Sequence, residues 1–416
     1  MLRVGLTGGI ACGKSHVLRR LAARGLAVLD LDAVAHAVTA PGGAAYDDVV
    51  AAFGESVVAA DGTIDRRALG ALVFRDPVAR ARVDALVHPR VRAEERRLAG
   101  ALEREGHELV VSDGALLVEA GAHLRFERLV VVHCPPEEQL RRLMHRDGLA
   151  EAAARERVAA QMPVAEKRRY AHALVDTSGS MAQTEAQADR LAEELQALAA
   201  RPAVRVGVGP ESALGVLACG GMGGPRGLTA AGLLAEAVDA GGIELPRLAR
   251  RLAPPAAGPW YRAARAGEAA PWPEALSPAL ALWAAARGLD ADWLAAAAAS
   301  LARLTHPDDE AVAGAVLAAL LSLRVACGEA PAELPGRLAG LAPAATRWGG
   351  VVPPARVSGA VEAAVCAPAD PARAARLAAR AGAEPEFAAA LVGLARGLPP
   401  AGADAGTLAL ARRLVG

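Results

Sequence analysis

The sequence predicts an α/β domain with a five-stranded parallel sheet, followed by an all-α domain. From residue 1 to about 200, short apolar segments with strand character alternate with helical segments, as they do in α/β proteins. Beyond residue 203 the strand pattern stops, and all five tryptophans lie in this half, among Ala/Leu-rich helical stretches. Because proline disfavours helix in the residue before it, the boundary is expected at Arg201-Pro202. We therefore expect domains over residues 1–200 and 203–416.

A glycine-rich loop follows the first strand, Leu2 to Leu6. Residues 8–15 read Gly-Gly-Ile-Ala-Cys-Gly-Lys-Ser and fit the phosphate-binding pattern Gly-x4-Gly-Lys-Ser. In such a loop the backbone N–H groups face the phosphates, the lysine reaches the β and γ oxygens, and the serine hydroxyl binds Mg²⁺. The chain is thus predicted to use a nucleoside triphosphate with Mg²⁺. The loop residues expected to bind it are Gly8, Gly9, Ala11, Cys12, Gly13, Lys14 and Ser15, with Ser15 also the metal ligand.

Lysine is almost absent from the rest of the chain. Of the 46 lysine and arginine residues, only Lys14 and Lys167 are lysine. A compact ammonium on a flexible stem fits inside a closed loop where a planar guanidinium does not. The lysine at position 14 therefore supports the assignment of the loop.

The remaining elements of the first half follow in order. A polar, Arg-rich helical stretch from about Gly42 to Gly106 is too long for a plain crossover between strands, and it is predicted to be a substrate-covering insertion. A long helix is expected from Ala182 to Ala200. The other predicted strands are Ala27 to Leu31, Leu109 to Ser112, Leu129 to His133 and Ala173 to Val175.

Two carboxylates close the second predicted strand. Ligands bind outside the carboxyl ends of parallel strands, and period-two alternation places Asp30 and Asp32 on one side, beside the loop. A carboxylate there can accept or orient the proton of an attacking hydroxyl, or hold Mg²⁺ through water. The alternative is a helix N-cap with a partner carboxylate.

A second candidate cluster lies in the segment Glu137 to Asp147. Leu140, Leu143 and Met144 form an apolar stripe, whereas Arg142 and Arg146 lie four residues apart on another face. Two guanidinium groups on one face could clamp transferring phosphates, as in the lids of phosphoryl-transfer enzymes. In a chain this rich in arginine, a solvated face is the alternative.

The bulk composition excludes several classes of function. Net charge is zero and the pI is near 7.1, so the surface as a whole gives no reason to expect a nucleic acid partner. No membrane span is expected, because the longest apolar run, residues 311–323, is far shorter than the roughly 20 residues a span needs. No export signal is expected either, because the lysine near the N-terminus follows the apolar stretch instead of preceding it. The five cysteines are scattered without metal-ligand spacing, which fits a reducing cytoplasm. Oligomeric state is not indicated.

Further short motifs follow the loop in order along the first half. They are residues 28–32, Asp61 to Leu69, Val87-His88-Pro89, Leu116 to Glu119, Gln139 to Asp147, Gln161 with Lys167, and Ser178 to Ser180. Together with the loop, these segments resemble the dephospho-CoA kinase family, colinearly over about 180 residues. The resemblance implies ATP-dependent phosphorylation of the ribose 3′-hydroxyl of dephospho-coenzyme A, with ATP and Mg²⁺ as cofactors.

The resemblance also implies roles for single residues. Asp32 would be the base, with Lys14 and Arg142 as the other catalytic groups. Substrate contacts are implied for Asp30, His88, Pro89 and Glu119, and for Arg146 in a lid with Arg142; His16 would lie against the α-phosphate. The departures from the family pattern are Cys12, His16, Ala115, His172 and Thr177.

Cys12 stands at the start of the first helix in place of a small residue. A cysteine at a helix N-terminus can have a lowered pKa and be oxidisable. The alternative is an inert small filler of the loop.

Three short segments stand out in the second half: residues 206–209 with 213–216, Leu304 to Asp309, and Gly382 to Glu386. In these segments the chain is similar to the ADP-ribosylglycohydrolase family. That family uses two Mg²⁺ ions held by an early and a late acidic cluster. At the early site this chain reads Thr229-Ala230-Ala231, without acids, whereas Glu384 and Glu386 keep acids at the late site. We expect an inactive fold kept for packing, dimerisation or ligand sensing, with an active hydrolase as the alternative.

Asp308, Asp309 and Glu310 have a simpler explanation. They follow Pro307 at the start of a helix, where the helix dipole favours acids.

Two other functions remain open for the first half. One is a different P-loop kinase acting on nucleosides or nucleotides. The other is a regulatory protein that binds ATP without turnover.

Overall fold

The computed structural model describes residues 1–201, 234, 238–239, 242–243, 273–306, 308–351, 355–383 and 385–396. The chain divides into two compact units. The first comprises Met1–Val118 and Phe126–Arg201, and the second comprises Glu119–Arg125 and Pro202–Gly416. Among the residues described, no helix is long and apolar enough to cross a membrane.

A five-stranded parallel sheet forms the centre of the first unit. Its spatial order is β2-β3-β1-β4-β5, and every adjacent pair is parallel. The predicted five-stranded parallel sheet is confirmed, with strand ends that shift by one or two residues. The strands are β1 (Leu2–Gly8), β2 (Ala27–Asp30), β3 (Leu109–Asp113), β4 (Arg128–His133) and β5 (Ala173–Asp176).

The three central strands are apolar because helices cover both faces of the sheet. Leu6 and Val130 are fully buried and face each other across β1 and β4. One face packs against α1 (Lys14–Ala23) and α9 (Met181–Ala199), which bring Leu21 and Leu191 into the same core. α9 begins with a capping box between Ser180 and Gln183, which satisfies backbone N–H groups at its N-terminus.

The stretch between β2 and β3 is helical, as expected. Asp65 and Asp76 cap α4 and α5, since their carboxylates accept backbone N–H groups of the first turns. The long helix α5 contains Pro89 and packs through Val87 and Val91 against Val34 of α2. The helices here are α2 (Leu31–Val38), α3 (Tyr46–Phe53), α4 (Arg66–Arg75) and α5 (Pro77–Arg104), with a 3₁₀ turn at Glu55–Val57.

Three shorter helices follow the later strands. After the 3₁₀ turn His123–Arg125 and strand β4 come α6 (Pro136–Asp147), α7 (Glu151–Ala159) and α8 (Val164–Arg168). Pro136 begins α6 at a position where the missing N–H of proline removes no helical bond, and Gly148 closes it in the left-handed conformation.

Apart from one short strand pair, the second unit is helical where it is described. The helices are α10 (Pro273–Arg287), α11 (Ala291–Thr305), α12 (Asp309–Ala326), α13 (Leu338–Gly349), α14 (Ala355–Cys366), α15 (Pro371–Arg380) and α16 (Pro385–Arg396). Helix α12 is buried along most of its length, and Trp283 of α10 lies 5.3 Å from Trp293 of α11, measured between ring centroids.

Two details of the second half differ from expectation. A short antiparallel pair, β6 (Val238–Asp239) and β7 (Gly242–Ile243), interrupts the all-α pattern; with two residues a strand, it is too short to leave a periodic signal. The Pro/Gly-rich compositions near Pro254 to Pro259 and Pro331 to Pro335 predict loops. The second of these segments lies instead in a 3₁₀ helix, Pro331–Arg337, since proline at its first position lacks only an N–H that the turn does not use. The predicted loop at Pro254 to Pro259 lies outside the described residues.

Candidate active site

The glycine-rich loop joins β1 to α1 at the carboxyl edge of the sheet. Gly13 is the residue before α1 and has φ 82°, a left-handed conformation that glycine adopts without strain. A Cβ at Gly8 would lie 2.5 Å from the carbonyl oxygen of Val132, so only glycine allows β1 and β4 to approach this closely. Ala11 also has a positive φ, 60°. These residues form a tight backbone turn, of the kind whose N–H groups bind a phosphate chain.

Distant residues hold this turn in place. The backbone N–H of Ile10 donates to Oε1 of Gln161 at 2.8 Å, and the Thr177 hydroxyl donates to the carbonyl of Cys12 at 2.9 Å. The ammonium of Lys167 is fully buried and donates to the carbonyls of Ala115 at 2.8 Å and Gly8 at 3.3 Å. Both lysines of the chain therefore belong to the loop and its support.

Lys14 points to the end of β3. Its ammonium forms an ion pair with Asp113, and the two side chains are 14% and 8% exposed. Burial raises the pKa of the Asp113 carboxyl, Lys14 opposes this shift, and the negative charges of Asp32 and Asp30 add to it. One ammonium and three carboxylates thus meet at the ends of β2 and β3, beside the loop.

Asp30 and Asp32 reach this cluster by a route other than strand alternation. β2 ends at Asp30, and Asp32 lies in the first turn of α2. The Asp30 carboxylate accepts the backbone N–H groups of Asp32 at 2.9 Å and Ala33 at 3.0 Å, so the N-cap alternative is correct for Asp30. The alternation argument was wrong because the strand stops one residue earlier than predicted. Asp32 is solvent-exposed.

Arg142 and Arg146 take different partners. The Arg142 guanidinium donates to Glu138 at 2.6 Å, and to the hydroxyl and carbonyl of Thr177 at 3.0 and 2.6 Å. Hydrogen bonds from Arg141, with a smaller contribution from Arg142, lower the pKa of Glu138 to about 2. Through Thr177, Arg142 is coupled to the loop.

Arg146 turns instead to its neighbour Asp147, at 2.7 Å, and is exposed. The structure does not bring the two arginines together as a clamp, because Asp147 captures Arg146 locally. Arg157 joins the same carboxylate at 3.0 Å.

The remaining loop residues lie on α1. Ser15 is exposed in its first turn, and the His16 ring lies 3.5 Å from Glu185 of α9. Within the described residues, no group of three or more His, Cys, Asp or Glu side chains could hold a metal ion by itself. Mg²⁺ typically binds through one or two carboxylates plus substrate phosphates, and Ser15 and Asp113 are oxygen donors of that kind.

The other predicted substrate residues lie away from the loop in sequence. His88 is on α5, 3.5 Å from Asp84 one turn earlier, and is about half exposed. Pro89 follows it within the helix, and Glu119 is half-buried after β3.

Three residues of the site were missed or left without a role by the sequence analysis. Asp113 carried a signal, because it ends a buried apolar run and so falls at the carboxyl edge of the sheet. Lys167 carried an indirect signal, as one of only two lysines and part of a segment that resembles the family, and Thr177 stood out only as a departure from the family pattern. Neither pattern showed that these residues contact the loop, across 159 and 165 residues of sequence.

In the second unit, Asp308 is the N-cap of α12, and its carboxylate accepts the N–H of Ala311 at 2.8 Å. Asp309 and Glu310 occupy the first turn. The capping explanation for these acids agrees with this geometry. The early site at Thr229 and the late acid Glu384 lie outside the described residues, as does the side chain of Glu386.

A parallel sheet whose first strand ends in this loop, with a lysine and strand-end carboxylates beside it, defines a P-loop phosphotransferase. The family model for dephospho-CoA kinase matches residues 2–183. The chain belongs to the dephospho-CoA kinase family. Its N-terminal half is accordingly a dephospho-CoA kinase, with ATP as co-substrate.

Two dephospho-CoA kinases are similar to this chain over most of their own length. A dephospho-CoA kinase of Anaeromyxobacter dehalogenans is 45% identical over 193 residues, which are 46% of this chain and 92% of that protein. One of Geobacter sulfurreducens is 44% identical over 189 residues, covering 45% of this chain and 95% of its own. Among solved structures, dephospho-CoA kinase from Campylobacter jejuni is similar with 26% identity and a TM-score of 0.37, covering 46% of this chain and 96% of that chain.

Proposed function

We propose that Asp32 activates the ribose 3′-hydroxyl of dephospho-coenzyme A for attack on the γ-phosphorus of ATP. The observation that supports this proposal is that Lys14, Asp113 and Asp32 lie near one another beside the loop, at the ends of β2 and β3. Of the carboxylates there, Asp113 is paired with Lys14 and Asp30 caps α2. Asp32 is exposed and free of both tasks, which suits a group that meets an incoming hydroxyl.

The other site residues divide the remaining work. Lys14 and the loop amides hold the β- and γ-phosphates. His16, two residues after Lys14 in α1, contacts the α-phosphate side of the nucleotide. Arg142 stabilises charge on the transferred phosphoryl group from its position beside Thr177 and Cys12. Ser15 and Asp113 would hold Mg²⁺, which would neutralise charge on the phosphates.

Substrate contacts are proposed on the helices around the sheet. His88 and Pro89 on α5, and Glu119 after β3, contact the coenzyme A part of the substrate. The Asp30 carboxylate accepts the backbone N–H of Asp32 and so keeps Asp32 in position. Arg146 binds phosphate oxygens when it leaves Asp147. We propose that the reaction takes place in the cytoplasm.

The test measures coenzyme A formation from ATP, Mg²⁺ and dephospho-coenzyme A by mass. Asp32→Ala is expected to lower kcat by orders of magnitude while the Kd for ATP stays within a few-fold, because a base contributes mainly in the transition state. Asp47→Ala, at an exposed acid in the first turn of α3, is the matched control and should keep full activity. Unchanged turnover in Asp32→Ala would reject the base assignment, and turnover on nucleosides alone would favour another P-loop kinase.

For the second half we propose an inactive fold similar to ADP-ribosylglycohydrolases, in a domain spanning residues 203–416. The missing acids at Ala230 and Ala231, and the capping role of Asp308, support inactivity, since hard cations need converging carboxylates. The full-length protein should release no ADP-ribose from an ADP-ribosylated protein in the presence of Mg²⁺. Mg²⁺-dependent release would contradict the proposal.

A further inference from the structure

Two buried cysteines of the first unit lie side by side at the phosphate loop. Cys12 belongs to the loop, and Cys134 directly follows β4. The Cys134 thiol donates to Sγ of Cys12 at 3.6 Å, across 122 residues of sequence. The side chains are 0% and 3% exposed. Phosphoryl transfer as described above uses neither thiol.

The two sulfurs differ in reactivity. The hydrogen bond from Cys134 lowers the pKa of Cys12 against the opposing effect of burial, and the Lys167 charge acts in the same direction. The same hydrogen bond, together with burial, raises the pKa of Cys134. A lowered pKa increases the thiolate fraction of Cys12, and the thiolate is the form that reacts with oxidants. The adjacent Cys134 thiol is in position to act as the resolving cysteine.

The loop permits the sulfurs to approach. A disulfide needs an S–S distance of about 2.0 Å, so the gap of 3.6 Å must shorten. Cys12 is held through its backbone, with its N–H donating to Gly9 at 3.1 Å and its carbonyl accepting from Thr177. Closing the gap must therefore strain these two hydrogen bonds, and Gly13, the next residue, gives the chain conformational freedom at this point.

We propose that Cys12 and Cys134 are a peroxide-sensitive pair, whose oxidation to an intramolecular disulfide reversibly stops the kinase reaction. The Cys12 thiolate attacks one oxygen of hydrogen peroxide, the O–O bond breaks, and a sulfenic acid and hydroxide form. The sulfur of Cys134 then attacks Sγ of Cys12, its proton passes to the departing hydroxide, and water leaves. Overall, two thiols are oxidised and one peroxide is reduced to two waters.

The new bond acts on the loop itself. It closes the gap between Cys12 and Cys134, so the Cys12 backbone must move relative to its hydrogen bonds with Gly9 and Thr177, which displaces the amides that bind the phosphates. Because both thiols are buried beside the loop, bound ATP should slow the oxidation. A thiol reductant should reverse it.

The experiment treats the reduced full-length protein with hydrogen peroxide, and follows coenzyme A formation and the masses of proteolytic peptides. The wild type should lose most of its activity as a peptide joining Cys12 to Cys134 appears, and dithiothreitol should restore activity and remove that peptide. Cys134→Ala should keep its basal activity and lose this reversible response. Cys327→Ala, at an exposed cysteine of the second unit, is the matched control and should respond as the wild type does.

Three results would overturn the proposal. One is oxidation of Cys327 without any peptide joining Cys12 to Cys134. Another is a joined peptide in a fully active protein. The third is an equal, reversible loss of activity in Cys134→Ala, which would place the sensitivity elsewhere; peptide masses from the wild type decide the matter if that variant does not fold.

Discussion

The surroundings of Asp113 disfavour the charged form of its carboxyl group. Burial raises its pKa above the unfolded value, so the folded state binds the proton more tightly. Stability from this group is therefore present at low pH and is lost as pH rises through the raised pKa. Asp113→Asn removes that dependence, so the Tm of the variant minus that of the wild type should fall as the pH is lowered. Thermal unfolding across a pH series measures this slope.

Asp189 provides a control of opposite sign. The hydrogen bond from Arg20, at 2.7 Å, lowers the pKa of its carboxyl. Its stabilisation is present above the unfolded pKa and is lost as the pH falls. For Asp189→Asn the Tm difference from the wild type should therefore become less negative on acidification. Equal slopes for the two variants would contradict the assignment of Asp113.

Glycine at position 8 has a steric cause that can be tested. Gly8→Ala places a methyl group 2.5 Å from the Val132 carbonyl oxygen, and it should destabilise the first unit by about 1–3 kcal/mol and reduce ATP binding. Gly100→Ala is the matched control, because nothing lies within 4 Å of its Cβ in helix α5. That change should stabilise by about 0.5–1 kcal/mol. Chemical denaturation and ATP titration separate the two outcomes.

At the scale of elements, Thr177 joins the end of β5 to the loop and to α6. It is buried, and its hydroxyl bonds the Cys12 carbonyl and the Arg142 guanidinium. Thr177→Val keeps the shape and leaves both partners short of a bond, which costs about 1–3 kcal/mol. We expect kcat/KM for ATP to fall by about tenfold or more, since about 1.4 kcal/mol corresponds to a factor of ten.

Thr184 supplies the comparison for this variant. It is also buried, but its hydroxyl donates only to Ser180 at the start of its own helix, at 3.3 Å. Thr184→Val should keep the wild-type kcat/KM. A similar loss in both variants would mean that Thr177 acts through general stability rather than through the loop.

The elements could largely be read from the sequence, whereas the contacts between them could not. β1 and the loop were predictable because alternating apolar residues and the Gly-Lys-Ser ending are local patterns. The end of β2 was not, because the capping bond of Asp30 decides where the strand stops. The pairs Lys14–Asp113 and Cys12–Cys134 depend on how the sheet orders its strands, which no local pattern encodes.

At the scale of the whole molecule, the second unit has a core of alanine, leucine and a few large aromatic residues. Trp283 is 2% exposed, packs on Trp293, and lies under the Arg287 guanidinium at 4.5 Å. Trp283→Ala should destabilise this unit by about 3–5 kcal/mol, as large-to-small changes in cores do. Tryptophan fluorescence during chemical denaturation reports this unit, because every tryptophan lies beyond residue 203.

An exposed apolar residue of the same unit provides the control for this stability change. Val351 is 38% exposed, so Val351→Ala should change stability by no more than about 0.5 kcal/mol. If Trp283→Ala unfolds at the same denaturant concentration as Val351→Ala, the tryptophan pair is not part of a cooperative core.

The scarcity of lysine makes the loop chemically addressable. An amine-selective acylating reagent meets only the amino terminus, Lys14 and Lys167 in this chain, and Lys167 is fully buried. Lys14 is 14% exposed and lies where the phosphates of ATP are expected, so its labelling should report nucleotide occupancy. The arginines elsewhere in the chain do not react with such a reagent, so the extent of labelling can be used directly as a measure of ATP binding at the loop.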